Sequence, residues 1–174
     1  MDPDDAVAEL VAQAGPRLLR VGYHLSRDRA QAEDLVQGAL LQVIGALRRR
    51  DLRPEDWYAY LRRAVVNEYL RSRRLRSSGE LVLSAQVVSG LPAGIVPGPE
   101  DVITDRAMLW TALGALSYRQ RTVLVLRFYE DLADNEIASV LGCQEATVRS
   151  LASRGLGALR AAMDPARGSK EHIR

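Results

Sequence analysis

The sequence predicts an all-α protein with two small helical domains, an N-terminal helical bundle and a C-terminal four-helix domain, joined by an irregular linker. Three observations support this fold class. Hydrophobic residues make up 47% of the 174 residues and are mostly Ala, Leu and Val, a composition that favours helices. Apolar residues recur every three or four positions in both halves of the chain. Between the halves, repeated glycines and prolines interrupt any regular element.

Composition excludes several classes of protein. The net charge of +2 gives no global signature of nucleic-acid binding, so such a function must rest on where the charge lies. The single cysteine, Cys143, excludes an intrachain disulfide framework, and with His24 and His172 it lacks metal-site spacing, so we expect no metal or other cofactor. No apolar run approaches the roughly 18 residues of a membrane span, and the N-terminus is not basic, so we expect a soluble, cytoplasmic protein.

Apolar periodicity predicts three helices in the first 50 residues. The first covers residues 6–13 and ends at Gly15 and Pro16, and the second covers residues 17–25. The third begins at Asp28, with Gln31 three residues on as the partner of a capping box. Its apolar stripe consists of Ala32, Leu35, Val36, Ala39, Leu40, Val43, Ile44 and Leu47. Its outward acid-amide face consists of Glu33, Asp34, Gln37 and Gln42, and such a face is more often solvated than binding.

A fourth helix is predicted over residues 55–76, with Pro54 at its start. Its packing stripe consists of Trp57, Leu61, Ala64 and Val65. Its other faces carry one acid, Glu68, and six arginines: Arg62, Arg63, Arg71, Arg73, Arg74 and Arg76. Arginines interleaved with Asn67 and with aromatic rings suit single-stranded nucleic acid, whose phosphates and bases they would meet. The rings are those of Tyr58, Tyr60 and Tyr69, and partial burial of at least two of them is the alternative interpretation.

The second half begins after an irregular linker over residues 77–101. A helix follows through Met108, Leu109, Ala112, Leu113 and Leu116. Ser117 with Gln120 predicts a capping box for the next helix, and the apolar run over residues 123–126 predicts burial. These helices would form the floor on which the last two helices pack.

Residues 132–160 predict a helix-turn-helix. Ile137, Ala138 and Leu141 share one face, and Gly142 follows as a C-terminal breaker. The apolar face continues with Val148, Leu151 and Leu156. The polar side of the second helix carries Thr147, Arg149, Ser150, Ser153 and Arg154. Such side chains can reach base edges and phosphates when a helix lies in a major groove, whereas an ordinary pair of packed helices is the plainer alternative.

Two other classes of protein stay open at this point. A plain DNA-binding regulator would share residues 132–160 but would not need the arginine-rich helix upstream. An enzyme is disfavoured, because no His/Cys/Asp grouping, phosphate-binding glycine loop or metal-ligand spacing occurs in the sequence.

Three segments resemble sigma factors of bacterial RNA polymerase, of the extracytoplasmic-function group and its SigE-like actinobacterial branch. AEDLVQGALLQV resembles the group's polymerase-binding helix, and YLRRAVVNEYLRSRR resembles the region that melts and reads the promoter −10 element. The stretch from SYRQRTVLVLRFYEDL to VRSLASRGLGALR resembles the domain that reads the −35 element. Nearly the whole chain is covered, and the order and spacing of the segments agree.

The resemblance implies a sigma factor that binds core RNA polymerase, reads both promoter elements and aids strand opening without enzymatic activity. It implies a region 2-like domain over residues 1–76, a linker over 77–101, a region 4-like domain over 102–163 and a tail over 164–174. Polymerase contacts fall on Asp34, Leu35 and Gln37. Contacts to the −10 element, with an unpaired base at Asn67, fall on Arg62, Arg63, Asn67, Arg71, Arg73 and Arg74. Contacts to the −35 element fall on Thr147, Arg149, Ser150, Ser153 and Arg154. The partners are core polymerase, promoter DNA that is double-stranded at −35 and single-stranded at −10, and, as a candidate, an anti-sigma protein.

The sequence departs from the family pattern at several positions. Gly38 stands where the family usually has Glu, which removes a charge from the polymerase face and weakens the helix by about 1 kcal/mol. Ile44 replaces a frequent Trp. Ala133 and Gln144 stand where Ser commonly caps the two last helices, so each helix start is expected to lack about 1 kcal/mol of capping.

Overall fold

The computed structural model describes residues 3–48, 57–77 and 100–164, and within these ranges every regular element is helical. The elements are α1 (Pro3–Ser26), α2 (Arg29–Arg48), α3 (Trp57–Ser77), α4 (Glu100–Ala115), α5 (Tyr118–Leu124), a π-helical segment (Val125–Tyr129), α6 (Asp134–Leu141) and α7 (Glu145–Met163). Helices α1, α2 and α3 pack together, as do α4, α5, the π-helical segment and α7. The predicted all-α class with two helical units is therefore confirmed. Most of the predicted linker, residues 78–99, lies outside the described residues, as does 165–174.

Helix α1 runs without a break through the position where the sequence predicted an end. Pro16 lies inside it, so the predicted division into two helices at Gly15 and Pro16 is wrong. Proline costs one backbone hydrogen bond, to the carbonyl four residues earlier, but both Pro16 and Ala12 are exposed, so water can satisfy that carbonyl. Buried Ala14 and Leu18 on either side of the proline continue one apolar stripe. Packing of that stripe outweighs the lost hydrogen bond.

Helix α2 begins as predicted after Asp28, whose carboxylate Oδ1 accepts the N–H of Gln31 at 2.7 Å. The Asp28 N–H donates to the hydroxyl of Ser26 at 3.2 Å and not to the Gln31 side chain, so only one half of the predicted capping box is present. Five of the eight predicted stripe residues are buried, namely Ala32, Leu35, Val36, Ala39 and Val43. Leu40 and Ile44 are half-buried, and the side chain of Leu47 lies outside the described set. The predicted stripe thus forms the core side of α2.

Helix α3 closes the core of the first unit. Leu61, Ala64, Val65, Val66 and Tyr69 are its buried residues. Tyr69 is the largest fully buried side chain in the described parts of the chain. Its ring places about 150–250 Å² of surface in the core, so it anchors the middle of α3 against the other two helices.

The second unit is tied together by a buried arginine. Arg121 on α5 is only 6% exposed, and its guanidinium donates to the carbonyls of Leu113 (2.9 Å), Gly114 (3.5 Å) and Leu116 (3.2 Å). These carbonyls lie at the C-terminal end of α4 and in the turn after it, where backbone acceptors lack helical partners and the helix dipole is negative. Arg121 therefore caps α4 from the neighbouring helix.

The predicted capping box at the start of α5 is present. The Ser117 hydroxyl accepts the N–H of Gln120 at 3.3 Å, and the Gln120 side chain accepts the N–H of Ser117 at 3.1 Å. Every residue from Arg121 to Leu126 is buried, which confirms the predicted burial of residues 123–126. Because this stretch is buried on all of its sides, it lies at the centre of the second unit.

A π-helical turn ends this buried stretch and leads into α6. The N–H of Glu130 donates to the carbonyl of Val125, five residues earlier, at 3.1 Å. Asp131 then adopts a left-handed conformation with φ of 54°, which aspartate tolerates better than most residues. An ion pair between Arg127 and Asp134 joins the π-helical segment to the first turn of α6.

Helices α6 and α7 form the predicted helix-turn-helix. Gly142 has a φ of +62°, and the N–H of Cys143 reaches back to the carbonyl of Ala138 at 3.1 Å, which is the Schellman geometry that ends a helix. Ile137, Ala138, Val148 and Leu151 are buried as predicted, whereas Leu141 and Leu156 are half-buried.

The two helix starts differ in their capping. Gln144 makes no side-chain cap, which confirms the predicted loss at the start of α7. At the start of α6, the carboxylate of Glu136 accepts the N–H of Ala133 at 2.8 Å and replaces part of the missing cap. On α7, Gly155 lets Leu124 of α5 approach, since an added Cβ would lie 3.1 Å from its Cδ1.

Replacing Arg121 tests the cross-helix cap. We expect Arg121→Ala to lower the free energy of unfolding by about 3 kcal/mol, because it leaves three carbonyls without their charged donor. Urea unfolding of the full chain followed by circular dichroism measures this loss. Arg119→Ala, at an exposed position on the same helix, is the matched control and should stay within about 0.5 kcal/mol of wild type. Equal losses in the two variants would contradict the assigned role.

A second prediction concerns pH. Burial on α1, and next the positive charge of Arg20, lower the pKa of His24 below its usual 6.5. The unfolded chain therefore takes up this proton at a higher pH than the folded chain does. Neutral His24 therefore contributes its full share to the free energy of unfolding above pH 6.5. This share is lost as the pH falls towards the lower pKa that His24 has in the folded chain. Unfolding curves at about pH 7.5 and about pH 5.5 should show that His24→Gln loses less stability than wild type. Identical losses would show that His24 is not responsible.

Candidate nucleic-acid interface

The outward face of α7 carries the residues predicted to read the −35 element. Arg149, Ser150, Ser153 and Arg154 are exposed, and Thr147 is half-buried beside them. At about 100° of rotation per residue, the four exposed side chains span about 140° of the helix surface. Val148, Leu151, Ala152 and Gly155 are buried on the opposite side. Because one side is held in the core, the reading side faces outward as a unit.

Local contacts hold the two arginines of this face. A terminal nitrogen of Arg149 lies 3.4 Å from the carboxylate of Glu145, one turn earlier, and both side chains are more than half exposed. Nε of Arg154 donates to the carbonyl of Ser150 at 3.3 Å. An exposed ion pair of this kind contributes only about 0–1 kcal/mol, so a phosphate or base edge can replace the carboxylate. Both guanidinium groups are therefore available to an incoming ligand.

The outward face of α3 holds a second basic stripe. Arg63, Asn67, Arg71 and Arg74 are all exposed, and their spacing places them within about 80° of one another around the helix. Arg71 pairs with the carboxylate of Glu68 at 2.9 Å. We call these four residues the α3 stripe. Three cations around one amide provide phosphate contacts on either side of a group that can hydrogen-bond a base.

The other two predicted α3 arginines cover tyrosine rings. The guanidinium carbon of Arg62 lies 5.6 Å from the ring centroid of Tyr58, and that of Arg73 lies 5.3 Å from the ring centroid of Tyr69. Arg17 on α1 also lies over the Tyr58 ring, at 4.6 Å. These cation–π contacts place Arg62 and Arg73, both half-buried, to one side of the α3 stripe.

The tyrosines correct part of the predicted single-strand site. Tyr69 is fully buried, so its ring offers no stacking surface to a base. Tyr58 and Tyr60 are half-buried, as the alternative interpretation expected. Sequence spacing placed the rings beside the arginines, but it did not reveal that arginines on α1 and α3 occupy the face of Tyr58. Arg17 was not predicted because it lies more than 40 positions earlier in the chain.

The predicted polymerase face lies on α2. Asp34 and Gln37 are exposed, together with Gln42. Leu35, which was also predicted to contact the polymerase, is only 4% exposed and lies in the core of the first unit, so its side chain is not available for direct contact and supports the face from beneath. Leu41, which the sequence analysis did not select, is 72% exposed on the same face. The signal was available, since Leu41 lies four residues after Gln37 and falls outside the apolar stripe of α2.

Other kinds of site find no support among the described residues. In those ranges no group of three or more His, Cys, Asp and Glu side chains is placed to hold a metal ion. Cys143 is a half-buried free thiol in the turn between α6 and α7. A search of the same ranges finds no helix long and apolar enough to cross a membrane.

Groups of exposed arginines on one side of α3 in the first unit and on one side of α7 in the second are typical of a helical nucleic-acid-binding protein. Comparison with known proteins makes the class specific. Residues 10–78 match the family Sigma-70 region 2, and residues 106–159 match the family Sigma-70, region 4. The two matched stretches contain α3 and residues 145–159 of α7, which carry the exposed arginine faces.

Relatives of known identity agree over most of the chain. The RNA polymerase sigma-E factor of Streptomyces antibioticus is 36% identical over 87% of this chain and 81% of its own. The ECF RNA polymerase sigma factor SigL of Mycobacterium tuberculosis is 32% identical over 82% of this chain and 80% of its own. The solved sigma factor RpoE of Bartonella quintana, in complex with the anti-sigma factor NepR, has a TM-score of 0.64 at 23% identity. That alignment covers 90% of this chain and 95% of RpoE, and it shows the shared fold.

The chain therefore belongs to the extracytoplasmic-function group of the sigma-70 family. It binds core RNA polymerase and directs promoter-specific transcription initiation. Proteins of this family are non-catalytic initiation factors.

Proposed function

We propose that α7 reads the −35 element, the α3 stripe reads and helps to open the −10 element, and α2 docks on core RNA polymerase. The observation that carries this assignment is that exposed arginines are grouped on one side of α3 in the first unit and on one side of α7 in the second. A sigma factor has to contact two promoter elements, and each unit offers one outward basic face.

The chemistry of each face suits its proposed element. Arg149 and Arg154 can make bidentate contacts with guanine in a major groove, and Ser150 and Ser153 can bond to bases or phosphates. On α3, Asn67 is exposed among three arginines that can neutralise phosphates of an opened strand. Arg62 and Arg73 add positive charge beside the stripe while holding their tyrosine contacts.

The domain assignment follows the same division. We infer a region 2-like domain over residues 1–76, a linker over 77–101, a region 4-like domain over 102–163 and a tail over 164–174. Asp34 and Gln37 make the polymerase contact, and Leu35 holds their helix in place. The protein acts in the cytoplasm, where the polymerase works, and it has no enzymatic activity of its own. An anti-sigma protein is a further partner, by analogy with the solved RpoE complex.

Substitutions on α7 test the −35 assignment. Arg149→Ala and Arg154→Ala should each weaken promoter-dependent initiation by about 1–3 kcal/mol if the arginine reads a base, because a bidentate contact is lost. If the arginine contacts a phosphate, binding should fall on all sequences and the salt slope should drop by about one. In vitro transcription on promoters with intact and scrambled −35 elements separates the two outcomes.

Arg106→Ala is the matched control for these variants, since Arg106 is an exposed arginine on α4 and is not part of the proposed reading face of α7. It should leave initiation unchanged. Wild-type initiation by both α7 variants would show that this face does not read the −35 element.

The protein alone should bind its promoter poorly. Each face offers only a few phosphate contacts, so two weak modules gain little from bivalency until polymerase fixes their separation. A gel-shift comparison of the protein alone, core polymerase alone and the mixture measures this. Specific, heparin-resistant binding is expected only in the mixture. Tight, specific binding by the protein alone would instead favour a plain DNA-binding regulator.

A further inference from the structure

Glu145 is the only acidic residue in the sequence of α7, the helix proposed to read the −35 element. It is the first residue of that helix, and its side chain is 52% exposed. A carboxylate repels the phosphates of DNA, so Glu145 weakens the general attraction of α7 for nucleic acid. The acid therefore opposes binding to every sequence unless one sequence gives it a favourable contact.

The stability of α7 offers a first explanation for Glu145. Gln144 makes no side-chain cap, and an acid in the first turn interacts favourably with the positive end of the helix dipole. A glutamate four residues before an arginine is also the favourable orientation of a helical ion pair. Neither effect depends on DNA, so a purely structural role predicts that Glu145 has no influence on base preference.

The position of Glu145 around the helix places it beside the reading residues. At about 100° per residue, Glu145 lies about 40° from Arg149 and about 80° from Ser153, on the outward side of α7. In a helix-turn-helix, the N-terminal residues of the second helix contact base edges in the major groove. Glu145 and Arg149 occupy the first two turns of α7, so the acid enters the groove together with the arginine.

The distance between the two charged groups matches the spacing of base pairs. A terminal nitrogen of Arg149 lies 3.4 Å from the carboxylate of Glu145, and successive base pairs are stacked about 3.4 Å apart. When Arg149 binds O6 and N7 of a guanine, its ion pair with Glu145 is exchanged for the base contact. The carboxylate is then left in the groove and needs a new hydrogen-bond donor, because a desolvated charge without a partner is costly.

The chemistry of the base edges selects that donor. A carboxylate accepts hydrogen bonds and cannot donate them. In the major groove, guanine and thymine offer it only acceptors, and adenine places its acceptor N7 beside its amino group. Cytosine offers the N4 amino group without a neighbouring acceptor on the same base. Cytosine is therefore the base that suits the carboxylate of Glu145.

We propose that Glu145 is a specificity-determining residue for the −35 element. Arg149 binds a guanine, and the carboxylate of Glu145 accepts a hydrogen bond from the N4 amino group of a cytosine in the adjacent base pair. Other bases leave the carboxylate unpaired among phosphates, so Glu145 rejects them. The proposal rests on the proposed function of α7 and adds the pair of bases that this part of the helix selects.

The test uses the full-length protein bound to core RNA polymerase of its host bacterium. Holoenzyme transcribes a promoter library that is randomised over the −35 element, and the transcribed templates are sequenced. Wild type should prefer cytosine about tenfold at one position, next to a guanine whose preference is lost in Arg149→Ala. Glu145→Gln should shift the preference from cytosine to adenine, because glutamine pairs with N6 and N7 of adenine. Glu145→Ala should accept all four bases there within about threefold.

Glu136→Gln is the matched control, because Glu136 is an exposed acid on α6 of the same unit. Its glutamine can still accept the N–H of Ala133, as the glutamate does. This variant should keep the wild-type base preference at every position of the −35 element. Efficient initiation by Glu145→Gln on templates with adenine shows that this variant folds.

Three results would overturn the proposal. If Glu145→Gln lowers initiation on all templates alike and still prefers cytosine, Glu145 acts only on the start of α7. If both Glu145 variants match wild type in output and preference, the acid is merely solvated. In these two cases the loss of the guanine preference in Arg149→Ala would still support α7 as the reading helix. If Arg149→Ala also keeps every wild-type preference, the proposed function of α7 fails together with the role of Glu145.

Discussion

Burial of one side of each helix is the constraint on which the functional surfaces depend. Helices α2, α3 and α7 each place an apolar stripe in the core of a small unit, and the remaining side must then face outward. On α7, Val148 and Leu151 are buried, and this alone turns Arg149 and Ser153 towards solvent. A helix that rolled by half a turn would expose its apolar stripe and bury charged side chains, which costs several kcal/mol. The packing that buries one side of each helix therefore also exposes the side that carries the functional residues.

Charge in this protein is effective through placement rather than through quantity. A net charge of +2 cannot draw the whole chain to nucleic acid, yet Arg63, Arg71 and Arg74 share one side of α3. Glu68 pairs with Arg71, and Glu145 pairs with Arg149 in the same way on α7. Such exposed pairs contribute little to stability, so a phosphate can replace the carboxylate.

In the second unit, contacts between helices stabilise helix ends that the local sequence specifies only weakly. The end of α4 has no glycine cap of its own, and Arg121 from α5 supplies donors to three of the carbonyls in that region. The π-helical segment and the left-handed Asp131 then redirect the chain into α6. Gly142 does have the expected conformation, since a φ of +62° at a helix end is strongly favoured for glycine. The position of α7 therefore depends on one local signal, Gly142, and on several contacts between different helices of the second unit.

The sequence by itself determined the helical class, the capping box at Ser117, the core stripe of α2 and the outward face of α7, because periodicity and capping depend on residues within one or two turns. Tertiary structure alone decided that α1 continues through Pro16, since packing on both sides of the proline exceeds the local cost. It also decided that Tyr69 is buried while Arg17 and Arg62 cover Tyr58, because these contacts involve more than one helix. Leu41 combines both kinds of information. Its place outside the apolar stripe could be counted from the sequence, but its 72% exposure depends on which side of α2 the other two helices of the unit cover.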